Sequence, residues 1–175
     1  GLARRRHLLE LAYRSETPVL EDDPYGDLHY DGDPLPSLRA LDGREHVIYL
    51  SSFSKILFPG LRLGWLAAPA GLVRRLALAK QAIDLHSSTL GQWIVERFLA
   101  AGHLAAHLAR MRREYAARRD TLLEALNHAA PPGFTWNRPR GGFYVWCRYP
   151  AAISERRLLA EAARERVAYL PGAAC

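Results

Sequence analysis

The chain has 175 residues, 49% hydrophobic and 24% charged, values that suit a domain with its own core and exclude a disordered or low-complexity segment. No apolar run approaches the roughly 20 residues that cross a bilayer, and Glu10 and Arg14 interrupt the stretch that follows Arg4, Arg5 and Arg6, so no secretory signal is read there. The formal charge of +6 is scattered as arginines beside Asp and Glu on helical segments, which is the pattern of a solvated surface rather than of a nucleic-acid footprint.

Residues 3–15 are predicted to be helical, with Leu8, Leu11 and Ala12 at spacings of three and four. Pro18-Val19-Leu20 reads as a short buried strand that delivers Glu21-Asp22-Asp23 at its carboxyl end. Residues 26–44 are polar and contain Gly and Pro, so a loop with one helical turn is expected. Val47 to Leu50 is a second buried strand, followed directly by the polar run Ser51 to Lys55, and Arg62 to Ala68 gives a third.

Helices are expected at about 70–84, 89–100 and 103–128, the last with Leu104, Leu108, Met111, Tyr115, Leu122 and Leu126 on one stripe. Gly142 to Arg148 alternates as a strand, Ser154 can cap a helix reaching Arg166, and Val167 to Leu170 is a final short strand. A Pro-Pro-Gly turn near residue 131 marks a change of pattern, so one domain over 1–129 and the start of a smaller one over 130–175 are expected. Strands alternating with helices imply an α/β sheet, largely parallel at its centre. Trp65, Trp93, Phe143, Tyr144 and Trp146 are assigned to the core, while Arg140 and Arg148 flank a strand with no assignable role.

Open α/β sheets bind ligands beyond the carboxyl ends of their strands, where both polar clusters fall. Lysine is nearly absent from this arginine-rich chain: only Lys55 and Lys80 occur. A surviving lysine is a candidate for chemistry that arginine cannot perform, because an amine can deprotonate and form a Schiff base. Lys55 follows Ser52-Phe53-Ser54 and precedes Pro59-Gly60-Leu61-Arg62. Two hydroxyls, a guanidinium and a close-approach glycine suit a phosphate, although Ser-x-Ser-Lys by itself is more often a surface turn. Asp22 and Tyr25 sit at the other strand end, where Asp-Pro also suits a solvent-facing turn. The seven histidines show no metal-ligand spacing. Cys147 and Cys175 show none either and form no disulfide framework, so a cytoplasmic protein is expected.

The segments EDDPYGDLHYDG, VIYLSSFSKILFPGLRLGW, PRGGFYVW and YLPGAA, in this order, resemble the class I/II aminotransferases, enzymes of fold type I that depend on pyridoxal phosphate (PLP). The likeness runs from residue 3 to 175 and is strongest to the branch with 2-aminoadipate and kynurenine aminotransferases and the aminotransferase-like domains of MocR-type regulators. It implies the C-terminal half of a large PLP-binding domain, with a mainly parallel sheet and helices, plus part of a small α+β domain. It further implies that Lys55 forms the internal aldimine and then acts as general base. Asp22 would pair with the pyridine nitrogen, Tyr25 would hydrogen-bond the ring oxygen, and Ser52, Ser54 and Arg62 would clamp the phosphate. Asp23 is left as structural. His86-Ser87-Ser88-Thr89 either caps a helix or lies near the partner's cofactor in a homodimer.

The family's upstream phosphate loop, ring-stacking aromatic and Asn-Pro-x-Gly segment are not found, nor is the arginine that grips a substrate carboxylate. An internal piece of a larger protein is therefore expected. The implied function is transfer of an amino group from an amino acid to a 2-oxo acid. The alternatives are the effector domain of a MocR/GntR-type regulator, with nucleic acid a partner only if a DNA-binding domain precedes this piece, a PLP lyase on the same fold, or an inactive fragment. Pro24 and the PGLRLGW run look more like the free-standing enzymes.

Overall fold

The computed structural model describes residues 1–174, which form two compact units: Gly1–Arg118 with Arg140–Phe143, and Arg119–Pro139 with residues 144–174. Cys175 lies outside the described residues.

In the first unit, helix α1 (Leu2–Arg14) forms where it was expected but buries Leu9 and Ala12; of the three residues that periodicity marked only Ala12 is buried, while Leu8 and Leu11 are 42% and 45% exposed. It leads into strand β1 (Val19–Asp22), which pairs in parallel with β2 (Val47–Ser52), Val19 lying opposite Val47 and Asp22 opposite Leu50. The intervening residues carry the short helix α2 (Leu38–Leu41). Its first amides need acceptors, and Glu21 supplies both carboxylate oxygens, to Leu38 N–H at 2.8 Å and Arg39 N–H at 2.9 Å. Strand β3 (Gly64–Ala67) completes the sheet in the order β1-β2-β3 but runs antiparallel to β2, so parallel pairing is confined to β1 and β2. It starts two residues later than expected because Arg62 adopts a left-handed φ of 52°, after a 3-10 turn over Pro59–Leu61.

The entry to β2 is organised by Asp42, whose side chain is buried. It accepts hydrogen bonds from the Tyr13 hydroxyl at 2.8 Å, Arg44 N–H at 2.9 Å and Val47 N–H at 2.7 Å. Burial works to raise its pKa, but the backbone donors at Arg44 and Val47 and the Tyr13 hydroxyl outweigh that and hold the carboxyl below its ordinary value. A depressed carboxylate stabilises the fold above its unfolded pKa, and that contribution is lost as pH falls through the folded value. Asp42→Asn, which cannot accept on its amide nitrogen, is expected to cost about 1–3 kcal/mol near neutrality. Urea midpoints of the two proteins should converge below the ordinary carboxylate range; a gap that does not change with pH would contradict this assignment.

Helices α3 (Ala70–Asp84), α4 (Thr89–Ala100) and α5 (Leu104–Ala129) follow at the predicted positions. Leu28, Ile56 and Leu108 are the buried centre of a cluster joined by Leu104, Met111 and Tyr115 of α5 and by Tyr25, Tyr30 and Phe53. Burying one such leucine contributes about 1.5–3 kcal/mol, so this cluster anchors both segments that carry candidate site residues.

In the second unit, the buried α5 position is Leu123, whereas Leu122 is 47% exposed. Continuing the helical period from Tyr115 by fours reaches 119 and 123, and position 119 holds a buried arginine that donates to the Pro139 carbonyl at 2.9 Å and to Asp120 at 2.9 Å. The charged side chain at 119 hid the phase of the stripe. Of the strand expected over Gly142 to Arg148, only β5 (Cys147–Arg148) is formed, paired antiparallel with β4 (Thr135–Trp136). Gly142 has φ of 75°, outside the extended region, so no strand starts there, and residues 143–146 have no ladder pairing among the described residues. Helix α6 (Glu155–Arg164) starts at Ser154, whose side chain makes no capping bond. Val167 to Leu170 is not a strand: Val167 N–H still bonds the Ala162 carbonyl at 2.8 Å, Arg166 has φ of 60°, and the segment has no pairing partner among the described residues.

The five aromatics assigned to the core are all exposed to a large degree, from 40% at Phe143 to 63% at Tyr144. Trp93 projects from α4 away from its buried Gly91 and Val95, and Trp65 lies on β3, whose far edge is unpaired among the described residues. No described helix is long and apolar enough to cross a membrane.

Candidate functional site

The site residues of the sequence reading sit on two neighbouring segments of the first unit, at the carboxyl ends of β1 and β2. Side chains alternate along β1, so Leu20 and Asp22 share the exposed face while Val19 and Glu21 face the other way. Asp22 is exposed and has neither a hydrogen bond nor an ion pair among the described residues. Asp23 differs. Its carboxylate accepts the Tyr49 hydroxyl at 3.1 Å, its amide donates to the Leu50 carbonyl at 2.9 Å, and its own carbonyl accepts the Ser51 hydroxyl at 3.0 Å. Burial and then the charge of Asp23 push the Tyr49 phenol up to about 12, so Tyr49 remains a donor across the ordinary pH range. Asp23 is thus tied into the sheet end and Asp22 is not.

Beyond β2 the chain turns over Phe53 to Ile56 and is held on both sides of the lysine. Phe53 N–H donates to the Leu63 carbonyl at 3.0 Å and Leu57 N–H to the Phe53 carbonyl at 2.8 Å. Ile56 is buried, and the His107 Nε2 donates to its carbonyl at 2.8 Å. The amine between these anchors is unengaged: Lys55 has no hydrogen bond or ion pair among the described residues, and its Nζ lies 5.9 Å from the centroid of the Tyr25 ring, within cation–π range. Lys80 is the opposite case, with Nζ at 2.7 and 2.6 Å from the two Asp84 oxygens.

The hydroxyls divide by what they already do. Ser52 Oγ donates to the Leu63 carbonyl at 3.3 Å and accepts Ser54 N–H at 3.1 Å, so it shapes the turn. Ser54 Oγ accepts from the Arg62 guanidinium at 3.3 Å, which leaves the hydroxyl proton for another acceptor. Arg62 also donates to the Pro59 carbonyl at 3.3 Å and is otherwise open to solvent. Lys55 and Tyr25 therefore meet directly, Ser52, Ser54 and Arg62 form a bonded chain, and Asp22 joins them only through register. That register places Asp22 opposite Leu50, two residues before Ser52 on the neighbouring strand.

The sequence reading left Arg140 without a role and assigned Phe143 to the core, but the segment Arg140–Phe143 lies at the Tyr25 loop. Arg140 donates through Nε and a terminal nitrogen to the Asp31 carbonyl at 3.1 and 2.9 Å, and its own carbonyl accepts Tyr30 N–H at 2.7 Å. Phe143 then packs edge-on against Tyr25, with ring centroids 5.3 Å apart at 70°. Two consecutive glycines ahead of an aromatic were the available signal, since they mark a close backbone approach. His86-Ser87-Ser88-Thr89 acts as a helix start, with the Ser88 hydroxyl accepting Gly91 N–H at 3.2 Å. A separate groove of about 470 Å³ runs between Phe53, Leu63 and Gly64 and the Gln92, Val95 and Glu96 side of α4; it includes none of the six predicted site residues.

A sequence model of the family described as Aminotransferase class I and II matches residues 2–175. The aromatic-amino-acid aminotransferase 1 of Thermococcus litoralis is 42% identical over 171 residues, covering 98% of this chain and 41% of the relative. An uncharacterized HTH-type transcriptional regulator of Bacillus subtilis is 37% identical over 169 residues, covering 97% of this chain and 35% of the regulator. Among solved structures, the alpha-aminoadipate aminotransferase LysN of Thermus thermophilus, complexed with N-(5'-phosphopyridoxyl)-L-leucine, superposes with a TM-score of 0.94 at 38% identity, covering 98% of this chain and 45% of that one. The chain thus spans less than half the length of these relatives.

Proposed function

The chain belongs to the class I and II aminotransferase family, and from that membership we propose that it supplies the lysine-bearing part of a PLP-dependent enzyme that moves an amino group from an amino acid to a 2-oxo acid. Its fold is α/β, of the fold-type I kind. The observation that carries the reading is the contrast between its two lysines: Lys80 is ion-paired to Asp84, whereas the Lys55 amine is free beside the Tyr25 ring.

The residues present fit the cofactor by the chemistry of their donors. Bound PLP supplies an aldehyde that takes up an amine and a pyridine ring that accepts the electron pair left when a Cα–H bond breaks. Lys55 offers the amine and, once released, a base for the Cα proton. Asp22 offers an uncommitted carboxylate for the ring nitrogen, and a fixed anion there keeps that nitrogen protonated. Tyr25 offers a ring and hydroxyl beside the lysine. Arg62 and Ser54 offer donors to a phosphate, while Ser52 holds the turn that presents them.

We further propose that residues 1–129 belong to the large cofactor-binding domain and 130–175 begin the small one. The complete protein is taken to be a cytoplasmic homodimer, in keeping with its family. The regulator relative supports a second reading, in which the same residues hold the cofactor as the ligand of an effector domain. Turnover of an amino acid and a 2-oxo acid by the complete protein separates the two.

Incubation with PLP, reduction with borohydride and peptide mapping is expected to mark Lys55 and leave Lys80 unmarked. Equal marking of both lysines, or of neither, would defeat the assignment.

A further inference from the structure

The segment Arg140–Phe143 returns from the second unit's stretch of sequence and is built into the first unit at the Tyr25 loop. Beyond the Arg140 bonds described above, Gly142 N–H donates to the Leu28 carbonyl at 3.0 Å, the Tyr30 hydroxyl donates to the Gly142 carbonyl at 2.5 Å, and His29 and Gly141 form an isolated antiparallel bridge. A Cβ at Gly141 would collide with the Leu28 carbonyl, and Gly142 has φ of 75°, so both positions require glycine. This docking delivers the Phe143 ring between Tyr25, at 5.3 Å, and Tyr115 of α5, at 4.6 Å.

Phe143 remains 40% exposed, so hydrophobic burial alone accounts poorly for a strap this closely held. Its geometric effect is on Tyr25. The backbone of Tyr25 is fixed by the Leu28 N–H bond to its carbonyl at 2.8 Å, and α5 secures the same loop through Arg112, which donates to the Asp27 carbonyl at 2.7 Å. The Tyr25 ring also packs against the Leu28, Ile56 and Leu108 cluster. The edge-on contact with Phe143 at 70° restricts the torsion of that ring, and the same ring carries the Lys55 amine above its face at 5.9 Å. We propose that Phe143 is a positioning residue: backed by Tyr115, it sets the orientation of Tyr25 and through it the environment of the Lys55 nitrogen. The inference rests on the PLP reading given above.

The test uses the full-length protein loaded with PLP and follows the visible absorption of the bound cofactor against pH, whose midpoint reports protonation at the Lys55 nitrogen. Phe143→Leu keeps apolar volume and removes the ring edge. It is expected to move the midpoint by about half a unit or more, in the direction that Tyr25→Leu, which removes the ring, moves it. Phe143→Tyr, which keeps the ring, should restore the wild-type midpoint. In a Tyr25→Leu background, Phe143→Leu should add little, because the two act as one unit. Tyr115→Leu, read the same way, should give a smaller shift of the same sign. An unmoved midpoint in Phe143→Leu, or a full additional shift in the Tyr25→Leu background, would overturn the role of Phe143 while leaving the cofactor reading intact. A wild-type protein with no pH-dependent band, and no borohydride mark on Lys55, would overturn both.

Discussion

Lys55→Ala is expected to remove the borohydride-fixed mark entirely and to reduce turnover by at least about 10²–10⁴-fold, the range that loss of a positioned proton-transfer group alone produces. The physical basis is the state of the side chain in the fold. The turn that carries Lys55 is anchored by the buried Ile56, by His107 on the Ile56 carbonyl and by Phe53 on the Leu63 carbonyl, while the amine itself is unpaired. Alanine leaves these anchors in place, so the variant should retain its stability and lose only chemistry. Lys80→Ala is the matched control. It removes an exposed pair with Asp84, and surface pairs of this kind contribute only about 0–1 kcal/mol. Full activity in Lys55→Ala, or a comparable loss in Lys80→Ala, would refute the role given to Lys55; steady-state rates and the mapped label measure both.

Asp22→Ala is expected to lower cofactor retention and turnover together, by roughly 10–10³-fold, since an opposite charge close to a titrating group shifts its pKa by about 1–3 units. Asp22 is exposed and bonded to nothing in the described chain, so its removal should leave the thermal midpoint nearly unchanged. Asp23→Ala should show the reverse. It leaves the Tyr49 hydroxyl without its acceptor and should destabilise the sheet end by about 1–3 kcal/mol, with a smaller effect on cofactor retention. Equilibrium dialysis against PLP and thermal unfolding of the two variants distinguish the carboxylates. If Asp23→Ala releases the cofactor and Asp22→Ala does not, the two roles are exchanged.

Much of the fold was legible because local chemistry fixed it. Helix α3 ends after Asp84 and α4 begins at Thr89, as the apolar period indicated. The acidic and Ser-Lys clusters were placed at strand ends from apolar runs followed at once by polar residues. Where local reading failed, a distant contact made the decision. Residues 142–146 have the alternation of a strand, but the positive φ of Gly142 and its bonds to Leu28 and Tyr30 bend the chain into a strap. The α5 stripe was misread in its second half because Arg119, polar by type, is buried by hydrogen bonding to Pro139. The exposed tryptophans show the limit of composition: a large apolar side chain does not specify which neighbour covers it.

The sequence by itself determined the residue types of the proposed site, their order and the strand ends that carry them, because lysine scarcity, the Ser-x-Ser-Lys run and the Asp-x-x-Tyr spacing are properties of neighbouring residues. Only the tertiary structure decided which members are free to act. That Asp23 is tied to Tyr49 while Asp22 is open, that the Lys55 amine lies over the Tyr25 ring, and that Arg140–Phe143 joins Tyr25 from more than a hundred residues away all depend on contacts between segments remote in the chain, whereas the Lys80–Asp84 pair is local to one helix turn. Such contacts follow from packing and register, which local pattern does not encode.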